Sequence, residues 1–419
     1  MPKRVWVHSG ERSFQGECTT KLSKTSFFLG KNQQSPCFCE GFYIAKAIKS
    51  DNSALARQDS VLFLIHSLAK AGSEGAQAWQ EGKFLASTRI QLGPAKKAAQ
   101  QLNSTILIRN IRSEHPYLLQ HTEDIKICII GKLSHPDENF AERIAIGNLA
   151  LVPILKRKKI PLVVTYSDNL ASKRNTAISE LYKTLLWHAD HVVYPCKAMV
   201  NLGRKWYEPT SAPLEWIIED PCQVQPKEFK DLRENEPCRI IWFGHSSNSM
   251  YLFNILPSIM EACDSWPFFE LHLLTDKETA NIAANIMKKI KPIKPWSLKI
   301  SQWDTEKQPQ QLEAALGNSH IAILPSDPKD PRKLAASHNR AVDAITAGCM
   351  TIASPISSYL EIKRAMLITK NFSQTLNSAI KDYTRLTLKW DKLRNEQLQR
   401  FSPGANLDKW KNLISTCMR

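Results

Sequence analysis

Short apolar runs rich in β-branched residues alternate along this chain with longer stretches whose apolar positions recur every three or four residues. The short runs read as strands at 4–9, 60–68, 104–110, 125–133, 161–168, 191–196 and 214–220. Helical patterns fall between them, for example at 140–159 and 175–189. Strands apolar on both faces and separated by helices predict a parallel sheet covered on both sides. A polar stretch, CQVQPKEFKDLRENEPC (222–238), then interrupts the alternation. Beyond it, strands are predicted at 239–244, 269–276, 297–303, 320–326 and 350–355, and a further short apolar run stands at 365–369. Helices are predicted at 250–265, 277–290, 308–319 and 337–347, with a short one from Ser358. The 308–319 helix is expected to end at Gly317, a favoured cap residue.

The expected class is therefore α/β, with two tandem doubly wound, Rossmann-like domains facing each other across a cleft. The expected boundaries are 1–222 for the first domain, 223–238 for a linker and 239–385 for the second domain. Terminal helices at 386–419 are expected to cross back to the first domain. The length agrees, because 419 residues exceed one ordinary core.

Composition and charge narrow the functional classes. The chain is 43% hydrophobic and 23% charged, a globular balance. No apolar stretch reaches the roughly 18 residues of a membrane span. The start, MPKRVWVHSGERS, lacks the apolar core of a signal peptide. Ten cysteines are scattered without a C-x-x-C pair, which argues against zinc and against a disulfide framework. Cys128 sits in an apolar strand, where cysteine acts as a small hydrophobe. A reducing, cytoplasmic compartment follows. Lys and Arg outnumber Asp and Glu by 56 to 40, a surplus that favours anionic partners. The basic runs at 156–159 and 288–299 suit either a solvated face or the anionic inner face of a membrane. No zinc finger, RRM signature or basic recognition helix supports a nucleic-acid partner.

In doubly wound sheets ligands bind beyond the carboxyl ends of the strands. After 239–244 come Gly244, His245, Ser246 and Asn248, ahead of a helix. There, backbone N–H groups hold a phosphate, or Ser and Asn simply cap the helix. The loop 327–340 carries Lys329, Arg332, Lys333, His338, Asn339 and Arg340, an anion site if they converge and a solvated loop if they do not. Asp343 then stands in a helix that buries Ala341, Ile345 and Ala347, facing either solvent or a ligand. Ser354 closes the following strand. In the first domain, GKLSHPD (131–137) and YSDNL (166–170) close two strands. They supply Lys132, His135, Asp137, Asp168 and Asn169 as groups that bind hydroxyls or phosphate. His135 or Asp168 could also take a proton, while a turn residue and an N-cap are the plainer readings. Ser9 and Gly10 form a close-approach loop or a simple turn.

The segment SHIAILPSDPKDPRKLAASHNRAVDAITAGCMTIAS resembles the donor region of GT-B glycosyltransferases of the retaining "group 1" type, family 4-like. RIIWFGHSSN and PLVVTYSDNL…HADHVVYPCKAMV resemble that family's first donor-domain strand and the end of its acceptor domain. The resemblance covers roughly 125–360. It implies a metal-independent hexosyltransferase moving a sugar, with retention, from a UDP- or GDP-linked donor, with no other cofactor. The acceptor would be a saccharide, a lipid-linked molecule or a protein, in surface polysaccharide or glycoconjugate synthesis. Asp343, where the family has Glu, would bind the ribose hydroxyls, and Gly348 would let the chain turn. Lys333 and Arg340, with His245 and Asn248 opposite, would meet the leaving diphosphate. The chain departs from the family at Ala335, where an acid is usual, and in loop 245–249, which lacks Arg and Lys. A non-catalytic GT-B scaffold and another GT-B enzyme, such as a nucleotide-sugar epimerase, therefore remain open.

Overall fold

The computed structural model describes residues 59–65, 86–110, 124–134, 137–172, 176–263, 266–287, 296–304, 307 and 309–419. The first sheet contains β1 (Ser60–Ile65), β2 (Thr105–Asn110), β3 (Ile125–Ile130), β4 (Leu162–Thr165), β5 (His191–Tyr194) and β6 (Leu214–Ile217). Its order is β2-β1-β3-β4-β5-β6, with every pair parallel. Ile127 to Ile130 are fully buried, as a strand covered on both faces requires. The helices of this half are α1 (Ala86–Gln101), α2 (Glu138–Leu149), α3 (Leu151–Arg157), α4 (Ala177–His188) and α5 (Lys197–Gly203). The single helix expected over 140–159 is broken at Ala150 into α2 and α3. Asp137 caps α2 by accepting from the Asn139 and Phe140 amides at 2.9 and 3.1 Å, so its carboxylate serves the helix.

The second sheet contains β7 (Cys238–Phe243), β8 (Phe269–Thr275), β9 (Trp296–Gln302), β10 (Ile321–Leu324), β11 (Met350–Ala353) and β12 (Leu367–Ile368). Its order is β12-β11-β10-β7-β8-β9, again all parallel. Around it lie α6 (Ser249–Cys263), α7 (Lys277–Met287), α8 (Gln310–Gly317), α9 (Asn339–Thr346), α10 (Ser357–Leu360) and α11 (Phe372–Lys381). Gly317 is the last residue of α8 rather than its cap. Asn318 takes that position at φ −100°, a conformation that asks for no glycine.

Two long helices end the chain. α12 (Tyr383–Leu398) packs Tyr383 and Trp390 into the second core. α13 (Pro403–Cys417) instead buries Trp410, Leu413 and Ile414 against Val61, Phe63 and Leu92 of the first sheet and α1. The polar stretch 222–238 has no helix or strand before β7, yet it is tied down. The Lys227 amide donates to Thr346 O at 2.9 Å, and Arg394 donates to Lys227 O. In both sheets the order reverses direction next to the first strand, between β1 and β3 and between β7 and β10. Such switch points open the crevices where ligands sit. Among the described residues no helix is long and apolar enough to cross a membrane.

Candidate functional site

The carboxyl ends of β3, β4 and β6 meet the loop between β10 and α9. From the first half come Lys132, just beyond β3, and Asp168, just beyond β4, joined as an ion pair about one-third exposed. Burial opposes the Asp168 charge, but Lys132 and then Lys333 hold its carboxyl below the ordinary range. Asp168 in turn raises Lys132.

From the second half come Lys333 and Arg340. Burial and the neighbouring Arg340 guanidinium push the Lys333 ammonium down to about 8, with Asp168 opposing them. Arg340 Nη1 is buried with no hydrogen-bond partner. It reaches over the end of β7, where a Cβ on Gly244 would lie 3.5 Å from it and 3.2 Å from the Trp242 ring. The tighter of the two contacts is with the Trp242 ring, and the approach of Arg340 is at an ordinary van der Waals distance. A buried guanidinium N–H without an acceptor is costly, and an anion would relieve that cost.

The other cations of the loop do not converge. Arg332 forms a forked pair with Asp330 at 2.7 to 3.2 Å, and Tyr251 donates to the same carboxylate at 2.6 Å. Lys329 is exposed. His338 is buried, with Nε2 3.5 Å from Glu361 and its ring 5.1 Å from Phe401. Asn339 turns its side chain back to accept from the Arg340 amide at 2.7 Å.

Loop 244–249 differs from the expected phosphate cradle. The Ser246 amide donates to Asp276 at 2.5 Å and the Ser247 amide to His245 Nδ1 at 3.4 Å. The Asn248 amide donates to His245 O, and that of Ser249 to Ser246 O. The Asp276 carboxylate, which also takes the Thr279 amide, occupies the place an anion would take. The Ser246 amide, expected to face a phosphate, is thus engaged with Asp276. Asn248 Oδ1 is buried without a partner.

Asp343 is also accounted for differently. It is 2% exposed. One oxygen accepts from the Gln223 amide at 2.8 Å and the other from Gln223 Nε2 at 3.1 Å. The acid in the apolar helix thus holds Gln223 at the start of the linker. Ser354 is likewise structural, its Oγ accepting from the Ser326 amide at 2.9 Å. Asn169 links the halves, accepting from Tyr166 at 2.8 Å and donating to Pro331 O at 3.0 Å. His135, Ser9 and Gly10 lie outside the described residues.

One carboxylate of the crevice escapes the sequence patterns. Asp220, three residues past β6, accepts from Ser337 Oγ across the cleft. Burial raises its carboxyl, Ser337 opposes, and Asp168 adds to the rise. The rule that singled out Asp168, a carboxylate just past a strand end, applies equally to Asp220. Among the described residues no group of three or more His, Cys, Asp or Glu side chains could hold a metal ion.

Two parallel sheets facing each other with helices on both sides make this the GT-B fold, and solved glycosyltransferases share it. HepE of Anabaena, solved with UDP-glucose, matches with a TM-score of 0.58 and 12% identity over 85% of this chain and 99% of that one. Sucrose-phosphate synthase from Thermosynechococcus elongatus matches with a TM-score of 0.54 and 11% identity over 86% and 99%. The pneumococcal O-GlcNAc transferase GtfA, solved with UDP and GlcNAc, matches with a TM-score of 0.51 and 11% identity over 73% and 60%. No protein-family profile matches the chain, and no curated protein matches it in sequence.

Proposed function

We propose that the chain is a glycosyltransferase that moves a sugar from a UDP-linked donor to a saccharide, lipid-linked or protein acceptor. The observation that carries this reading is the pair Lys333 and Arg340. Both are partly buried at the crevice, and neither is salt-bridged within the described residues. Breaking the bond to the anomeric carbon builds negative charge on the leaving diphosphate, and two fixed cations meet that charge. Asp168, kept ionised by Lys132, would face the acceptor hydroxyl. HepE was solved with UDP-glucose. An anionic membrane face would meet the exposed run 156–159, in which Lys156 already pairs with Asp190.

Calorimetry tests the donor site. UDP is expected to bind, and Lys333→Ala to weaken it about tenfold, as loss of a charged hydrogen bond does. The free-site ammonium titrates at about 8 and binds the anion only when protonated. Affinity should therefore fall between pH 7 and 9, and Lys333→Ala should flatten that dependence. A folded protein that binds neither UDP nor GDP would sink the reading.

A second reading, a GT-B scaffold that binds nucleotide without turnover, is favoured by Asp276. Its carboxylate holds the loop donors that would otherwise reach a phosphate. Saturable UDP binding without slow hydrolysis of any UDP-sugar tried would select it.

A further inference from the structure

We propose that Asp220 is a positioning residue for the cationic loop: through Ser337 it clasps residues 331–337 of the second half to the first half and so sets Lys333 and Arg340. This deepens the transferase reading and rests on it for its effect on nucleotide binding.

The geometry is a short relay. Asp220 lies beyond the last strand of the first sheet, and its carboxylate accepts from Ser337 Oγ. The same Ser337 oxygen accepts from the Asn339 amide at 3.3 Å, at the first residue of α9. Ser337 therefore stands between Lys333 on one side and Arg340 on the other. The segment is otherwise held across the cleft by weaker contacts, Asn169 to Pro331 O at 3.0 Å and Cys196 Sγ to Ala335 O at 3.6 Å. Only the Asp220 contact has a charged acceptor, which makes it the stronger bond. The turn itself is stiff, because the Lys333 and Leu334 amides both return to Asp330 O and that of Ala336 to Lys333 O. Fixing one end of a stiff turn fixes the side chains along it.

The charges around Asp220 argue against a purely electrostatic role. It faces Asp168, which repels it, and His338 and Lys132, which attract it. It forms no ion pair within 4 Å among the described residues. A carboxylate kept in a half-buried cleft beside another carboxylate, with a hydroxyl as its one close partner, is suited to holding that hydroxyl in place.

The test uses the full chain and two readouts. Amide exchange of 331–337 by mass spectrometry reads the clasp, and UDP calorimetry reads its consequence. Asp220→Ala and Ser337→Ala should each speed exchange and weaken UDP about tenfold, the worth of one charged hydrogen bond. The double variant should be no weaker than either single, because both remove the same bond. Asp220→Asn keeps an acceptor oxygen and should stay within about threefold of the parent. The proposal is overturned if exchange is unchanged in both alanine variants, or if exchange rises while UDP affinity holds. If the parent chain does not bind UDP, the nucleotide reading falls, and the exchange data still decide whether the clasp exists.

Discussion

Gly348→Ala is expected to lower stability by roughly 3 kcal/mol or more, the sum of a left-handed backbone penalty and an overpacked contact. Gly348 has φ +77°, and a Cβ there would lie 2.2 Å from Glu228 O and 2.8 Å from Glu228 C. The obstacle is backbone, and that backbone has no room to retreat. The Lys227 amide is bonded to Thr346 O at 2.9 Å, and Lys227 O accepts from Arg394. Inserting a methyl group would strip the linker from α9. Urea unfolding followed by near-UV absorbance of the tryptophans measures the loss. A variant as stable as the parent would show that the linker does not rest on this turn.

Asp343→Ala is expected to cost about 3 kcal/mol, because it removes two hydrogen bonds that a buried carboxylate accepts from Gln223. Its effect on UDP affinity should be small, under about threefold. The pairing of the two measurements is decisive. A stable Asp343→Ala protein that binds UDP at least tenfold more weakly (about 1.4 kcal/mol) would return the residue to the donor site and reassign Gln223 as a bystander.

The sheets were legible because parallel strands are apolar on both faces and bounded by helical periodicity. All twelve strands of the described residues fall within the apolar runs or one residue outside them. β7 and β9 each begin one residue earlier than predicted. The helix ends were less legible: the break at Ala150 lies three residues before Pro153, which has no N–H to give to the Leu149 carbonyl and crowds it. At the candidate site, the sequence singled out loops but not the hydrogen-bond partners of their residues. Asp343 was conspicuous as an acid in an apolar helix, yet its partner Gln223 lies 120 positions away. Ser246 stood in a phosphate-like turn, yet Asp276 reaches it from the next strand end, 30 positions on. Arg332 and Lys333 are adjacent and alike in charge, and only the forked pair with Asp330 separates their roles. Local pattern finds positions, whereas hydrogen-bond saturation is decided by contacts across the chain.

The return of α13 to the first sheet has a consequence for synthesis. The strands of that sheet are complete by Ile217, but Val61, Phe63 and Leu92 are covered by Trp410, Leu413 and Ile414. A ribosome adding roughly 5–20 residues per second therefore leaves this apolar face open for ten seconds or more, on the order of the time needed to make the second half. The second half holds its own helices and can close first. Folding would then run against the direction of translation, with the amino-terminal half waiting for the last helix to emerge and shielded by chaperones until it does.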